Sequence, residues 1–141
     1  MTALAERPAL VLDTNIVLDV WVFGDAAAAA LIAGLPQGQW HWLATPPMRE
    51  ELARVLAYPQ IVKSLNHHKI NPQAVLDQFD AHADMVGVAP KASVTCKDPD
   101  DQKFIDLAVA HRACLLSKDH AVLSMAKRLL ALGVIARAAI H

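Results

Sequence analysis

The sequence predicts an α/β fold, a parallel sheet with helices on both faces, and three observations lead there. Short apolar runs alternate along the chain with longer segments of helical character. Two of these runs, Ala9-Leu10-Val11-Leu12 and Cys114-Leu115-Leu116-Ser117, read as strands buried on both sides. Each is followed by an acid, Asp13 and Asp119 respectively, at the point where a helix starts. In an open parallel sheet the ligand crevice lies outside the carboxyl ends of the strands, which is where these acids would stand.

The elements follow in order. The first strand, Ala9 to Leu12, leads into a short helix, Asn15 to Val22. Gly24 breaks that helix, and Asp25 caps a second one through Leu35. Gly34, Pro36 and Gly38 mark a turn before an aromatic-rich strand, Trp40 to Ala44. Pro46 and Pro47 suit the first turn of a helix to Ala57, which Pro59 stops. A turn or two of helix is expected at Ile61 to Leu65, and Asn71-Pro72 opens another to about Asp84. Met85 to Ala89 is a candidate strand and Pro90 to Lys97 a polar loop. Asp98-Pro99 opens a helix to about Arg112. After the strand at Cys114 to Ser117 come a helix, His120 to Leu132, and a last strand, Val134 to Ile140. The alanine run Ala26 to Ala30 is a strong helix former, and no internal repeat or linker is evident.

Composition narrows the function. With 141 residues and 55% hydrophobic content the chain can bury one core, and disorder is not expected. No apolar stretch reaches membrane-spanning length without a charge or a break, so no membrane association is expected. Met1 to Arg7 lacks the basic-then-apolar pattern of a secretory signal. Cys96 and Cys114 form no CxxC pair, which fits reduced thiols and a cytoplasmic location. The formal net charge of -1 offers no global attraction for nucleic acid, so phosphate binding must come from local groups or metal. No Walker loop, GxGxxG or zinc-type His/Cys spacing occurs, and Ser117 has no evident His partner.

Four acids remain: Asp13, Glu51, Asp101 and Asp119. Asp13 and Asp119 each have a plain structural reading as helix N-caps. Glu51 differs from its neighbour Glu50. Around the apolar face of Met48, Leu52, Val55 and Leu56, Glu51 lies roughly 85° from the centre and Glu50 roughly 175° away. A carboxylate at the edge of a buried stripe is costly without a partner, whereas Glu50 can pair with Arg54 in solvent. In Asp98-Pro99-Asp100-Asp101, Asp98 serves as N-cap and the next acids favour the helix dipole. Asp101 nevertheless shares the face of Phe104, Ile105 and Ala108 and should point at the sheet, while Asp106 reads as solvated beside Lys103. Acids gathered on one rim repel unless a cation neutralises them, and hard oxygen donors suit Mg²⁺ or Mn²⁺.

These pieces together resemble the PIN-domain family, widespread as ribonuclease toxins of bacterial and archaeal toxin–antitoxin pairs. The resemblance runs through Leu-Val-Leu-Asp-Thr-Asn, Arg-Glu-Glu-Leu-Ala-Arg-Val-Leu, Lys-Asp-Pro-Asp-Asp-Gln-Lys-Phe-Ile-Asp-Leu-Ala and Leu-Leu-Ser-Lys-Asp, nearly the whole chain. It implies a three-layer α/β/α sandwich, with residues 1–141 as one nuclease domain. It carries the catalytic, metal-binding acids over to Asp13, Glu51, Asp101 and Asp119, with Asn15 as a supporting polar residue. The family usually has Thr-Gly-Asp and a second Asp two residues on. Here Ser117-Lys118-Asp119 stands with Ala121 in the later position. Ser117 keeps a hydroxyl that can orient carboxylates, while Asp98 and Lys118 are further candidates.

The activity implied is Mg²⁺- or Mn²⁺-dependent hydrolysis of RNA phosphodiester bonds, with Lys63, Lys69, Lys97, Lys103 and Lys118 as candidate phosphate contacts. A cognate antitoxin covering the acidic cleft and a homodimer are implied with it. The altered last motif supports an alternative, a non-catalytic module of the same fold that binds RNA or a partner protein. A receiver-like phosphoacceptor is disfavoured, because Asp13 lacks an adjacent acid and no acceptor Asp ends the third strand.

Overall fold

The computed structural model describes residues 7–140. The absence of a secretory signal, expected from Met1 to Arg7, falls almost wholly outside them. Five strands form one parallel sheet: β1 (Ala9–Leu12), β2 (His41–Ala44), β3 (Asp84–Met85), β4 (Cys114–Leu116) and β5 (Ala136–Arg137), in the order β3-β2-β1-β4-β5. The sheet and its flanking helices are the α/β architecture expected. Leu10, Val11, Leu115 and Leu116 have no exposed surface, as strands covered on both faces require.

The helices are α1 (Thr14–Leu18), α2 (Ala29–Gly34), α3 (Pro46–Val55), α4 (Pro59–His67), α5 (Pro72–His82), α6 (Gln102–His111), α7 (His120–Leu123) and α8 (Ala126–Ala131). Their starts follow local chemistry. Asp13, Asp25, Asn71, Asp98 and Asp119 each accept a first-turn N–H. Pro46, Pro59 and Pro72 open α3, α4 and α5, where a missing N–H costs nothing. Pro59 therefore begins a helix of nine residues as well as ending the previous one. Gly24, with φ 57°, takes the left-handed conformation at the end of the first helical segment.

Some expected boundaries shift. The segment after α1 widens into a π-helical turn, Asp19–Phe23, and brings Trp21 onto Trp42 of β2 with ring centroids 5.4 Å apart. Asp25 caps a short 3₁₀ turn, Ala26–Ala28, before α2. The helix expected at His120 to Leu132 breaks at Ser124 and Met125 into α7 and α8. The strands expected at Met85 to Ala89 and Val134 to Ile140 shrink to two residues each, because both lie at sheet edges with a partner on one side only. Among the described residues no single helix is long and apolar enough to cross a membrane.

Candidate active site

β1 and β4 lie side by side, with Leu12 in register with Leu116. The Asp13 N–H donates to the Leu116 carbonyl at 3.0 Å, so Asp13 and Ser117 leave the sheet as neighbours. Ser117, fully buried, donates its hydroxyl to Asp13 Oδ2 at 2.7 Å and accepts the Asp119 N–H at 3.0 Å. One hydroxyl thus fixes both the carboxylate ending β1 and the loop ending β4. Asp119 accepts the Ala121 N–H at 2.9 Å and caps α7. Asp101 arrives from the 3₁₀ turn Pro99–Asp101 that precedes α6, and is 7% exposed.

These elements bring Asp13, Asp101 and Asp119 together, each offering one oxygen within 4.8 Å of the other two. Their protonation reflects the crowding. Burial pushes the Asp101 carboxyl up to about 8, helped by its hydrogen bond to Asp119 and by the charges of Asp13, Asp119 and Asp98. Asp119 is held below the usual carboxylate range, chiefly by that same bond, so Asp101 carries the proton of the pair. Burial also raises Asp13, against hydrogen bonds from Ser117 and the Asn15 N–H, with Glu51 and Asp119 adding repulsion. The second Asp101 oxygen, Oδ2, is buried without a hydrogen-bond partner. Three gathered carboxylates, one of them with a buried and unpartnered oxygen, form a donor set that suits a hard divalent cation.

Glu51 stands beside this trio and outside it. It lies on the second turn of α3, partly buried, while Glu50 is exposed and makes no ion pair with Arg54. The Thr14 hydroxyl donates to Glu51 Oε2, and Lys103 Nζ donates to Glu51 Oε1 at 2.7 Å. Asn15 is exposed and contributes its backbone N–H to Asp13 at 3.3 Å. Asp98 caps the turn that carries Asp101, accepting the Asp100 N–H at 2.9 Å.

Three expectations change. Lys118 does not face the acid cluster: its ammonium pairs at 2.7 Å with Asp19, a buried carboxylate of the π-helical turn. Lys103, read from sequence as a phosphate contact near Asp106, turns to Glu51. Asp106 accepts the Ala92 N–H and the Gln102 side-chain amide, both at 2.8 Å, and so pins the loop before α6 instead of facing solvent. Thr14 was visible in the polar Asp13-Thr14-Asn15 triplet, but its aim toward α3 was not. The Lys103 contact spans 52 positions and has no local signature.

Comparison with known proteins gives the family and the fold. A PIN domain family model matches residues 9–121. No curated protein sequence matches. The fold is similar to a chain in the crystal structure of VapBC2 from Rickettsia felis bound to a DNA fragment from their promoter. That similarity has a TM-score of 0.61 at 14% identity and covers 91% of this chain and 98% of that one. The matched segment spans β1 to the start of α7 and contains all four acids, and the chain belongs to the PIN domain family.

Proposed function

We propose that the chain is a Mg²⁺- or Mn²⁺-dependent endoribonuclease, the toxin of a toxin–antitoxin pair. The observation that carries this reading is the convergence of Asp13, Asp101 and Asp119, with Asp101 Oδ2 buried and without a hydrogen-bond partner. These three would hold the cation. When bound, it would supply charge neutralisation, orientation of a phosphate and a lowered pKa for a nearby water.

The remaining groups prepare the site. Ser117 fixes the Asp13 rotamer, and the N-cap bonds of Asp13 and Asp119 set the direction of both carboxylates. Two acceptor positions of Glu51 are taken by Thr14 and Lys103, and a carboxylate has about four. Glu51 therefore keeps capacity to orient a water at the rim. In-line attack of that water on phosphorus with departure of the 3′-oxygen leaves 5′-phosphate and 3′-hydroxyl ends. The same reading brings a cognate antitoxin over the acidic cleft, a homodimer and a cytoplasmic site of action.

The non-catalytic alternative rests on the altered last motif, with Ala121 where the family usually has a second Asp, and two contacts count against it. Ser117 makes the carboxylate contact a hydroxyl is needed for, and Lys118 is directed away from the acids. The test is cleavage of RNA by the purified chain with Mn²⁺. Activity lost with EDTA and in Asp101→Asn supports the reading. Cleavage that survives in both overturns it.

A further inference from the structure

Lys103 is held more firmly than an ordinary surface lysine. Its side chain is 24% exposed, and that of its partner Glu51 is 15% exposed. The ammonium donates to Glu51 Oε1 at 2.7 Å and to the Asp100 carbonyl, and it lies 5.0 Å from the centre of the Phe104 ring. Lys118, by contrast, is 44% exposed and paired elsewhere.

The two sides of the cleft differ in how far they are satisfied. Both oxygens of Glu51 have donors, Thr14 on one and Lys103 on the other. Asp101, more than nine-tenths buried, keeps its Oδ2 without a hydrogen-bond partner, and one oxygen from each of Asp13, Asp101 and Asp119 lies within 4.8 Å of the other two. Four carboxylates could in charge terms accept two divalent ions. A fixed ammonium on the fourth carboxylate removes one negative charge and occupies the position from which that carboxylate would reach a second ion.

We propose that Lys103 is a built-in cation which takes the Glu51 side of the cleft and limits the site to one divalent ion. This rests on the metal-dependent reading above. Lys103 is thus a positioning residue: it holds Glu51 beside the trio of Asp13, Asp101 and Asp119 and outside it. An ammonium serves because it is a compact charge with three donors.

Equilibrium dialysis against millimolar Mn²⁺ counts the bound ions directly. Wild type should bind one ion per chain, and Lys103→Met a second one. Lys103→Arg should return the count to one, as should the double variant Lys103→Met with Glu51→Gln. In the wild-type background, Glu51→Gln should keep the single ion with less than a threefold change in affinity, whereas Asp101→Asn should lose it. Two ions in wild type, an unchanged count in folded Lys103→Met, or loss of the ion in Glu51→Gln each overturn the inference. If Lys103→Met does not fold, Lys103→Gln, which keeps a donor for Glu51 and removes the charge, takes its place with the same expected count of two. Absence of any bound ion in wild type overturns the metal-dependent reading as well.

Discussion

Asp101 and Glu51 sit in contrasting surroundings, the first crowded by other acids and the second paired with a lysine. In the folded chain the Asp101 carboxyl is pushed up to about 8, far above the usual carboxylate range. The folded state therefore holds the extra proton in that window, and stability falls as pH rises through it. In metal-free buffer the urea midpoint of wild type should drop from about pH 5 to about pH 8, and Asp101→Asn should flatten the drop. Parallel profiles for the two proteins would count against a buried, proton-bearing Asp101. Glu51 makes the complementary case. Glu51→Gln should retain the ion and lose RNA cleavage, since the amide cannot accept a proton from water. Glu50→Gln changes an exposed, unpaired side chain and should alter stability by less than about 0.5 kcal/mol with cleavage intact. Full cleavage by Glu51→Gln in the same assay would remove Glu51 from the chemistry.

At the scale of elements, the π-helical turn and the loop ending β4 are joined by one ion pair, Asp19 to Lys118. Lys118→Met keeps the side-chain stem and removes the charge, leaving Asp19 buried without its cation. A cost of about 1–3 kcal/mol is expected by denaturant unfolding, reduced from a fully buried pair because Lys118 is partly exposed. Mn²⁺ dependence should stay as in wild type, and a shifted metal requirement would place Lys118 back at the acid cluster. The same region shows how far sequence carries. The N-cap acids and the prolines at helix starts were legible because each acts within a turn of its own position. The buried strands were legible from unbroken apolar runs such as Leu10 to Leu12. The π-helical turn was not, since Asp19 to Phe23 looks like the continuation of a helix and its stacking of Trp21 on Trp42 joins residues 21 positions apart. Asp101 could be aimed at the sheet from periodicity alone. The pairings of Lys103 with Glu51 and Lys118 with Asp19 could not be seen, because each depends on elements meeting across the fold.

For the molecule as a whole, the chain winds from the central β1 to one edge through β2 and β3, then returns to the other side with β4 and β5. The reversal falls between β1 and β4, and a crevice opens at such a switch point. Asp13 and Asp119 stand there as direct continuations of the two strands, and Asp101 is delivered by the turn opening the helix that crosses back to β4. The three acids are gathered only in the folded chain, since 88 positions separate Asp13 from Asp101 in sequence (101 minus 13). A cation that binds the gathered set and not the unfolded chain must stabilise the fold. At a hundredfold excess over its dissociation constant the gain is about 2.7 kcal/mol. For a domain of this size that corresponds to a rise in thermal midpoint on the order of 5–10 °C. Wild type should show this rise with Mn²⁺, Lys118→Met should show it from a lower starting point, and Asp101→Asn should lose most of it. Part of the expected rise comes from relieving the repulsion that already makes metal-free wild type weaker near pH 8, so the Mn²⁺ shift should be larger there than near pH 6 even after allowing for tighter binding to deprotonated acids. A midpoint that moves equally in wild type and Asp101→Asn would mean the ion binds elsewhere on the surface, and the convergence of the three acids would then have no role in holding it.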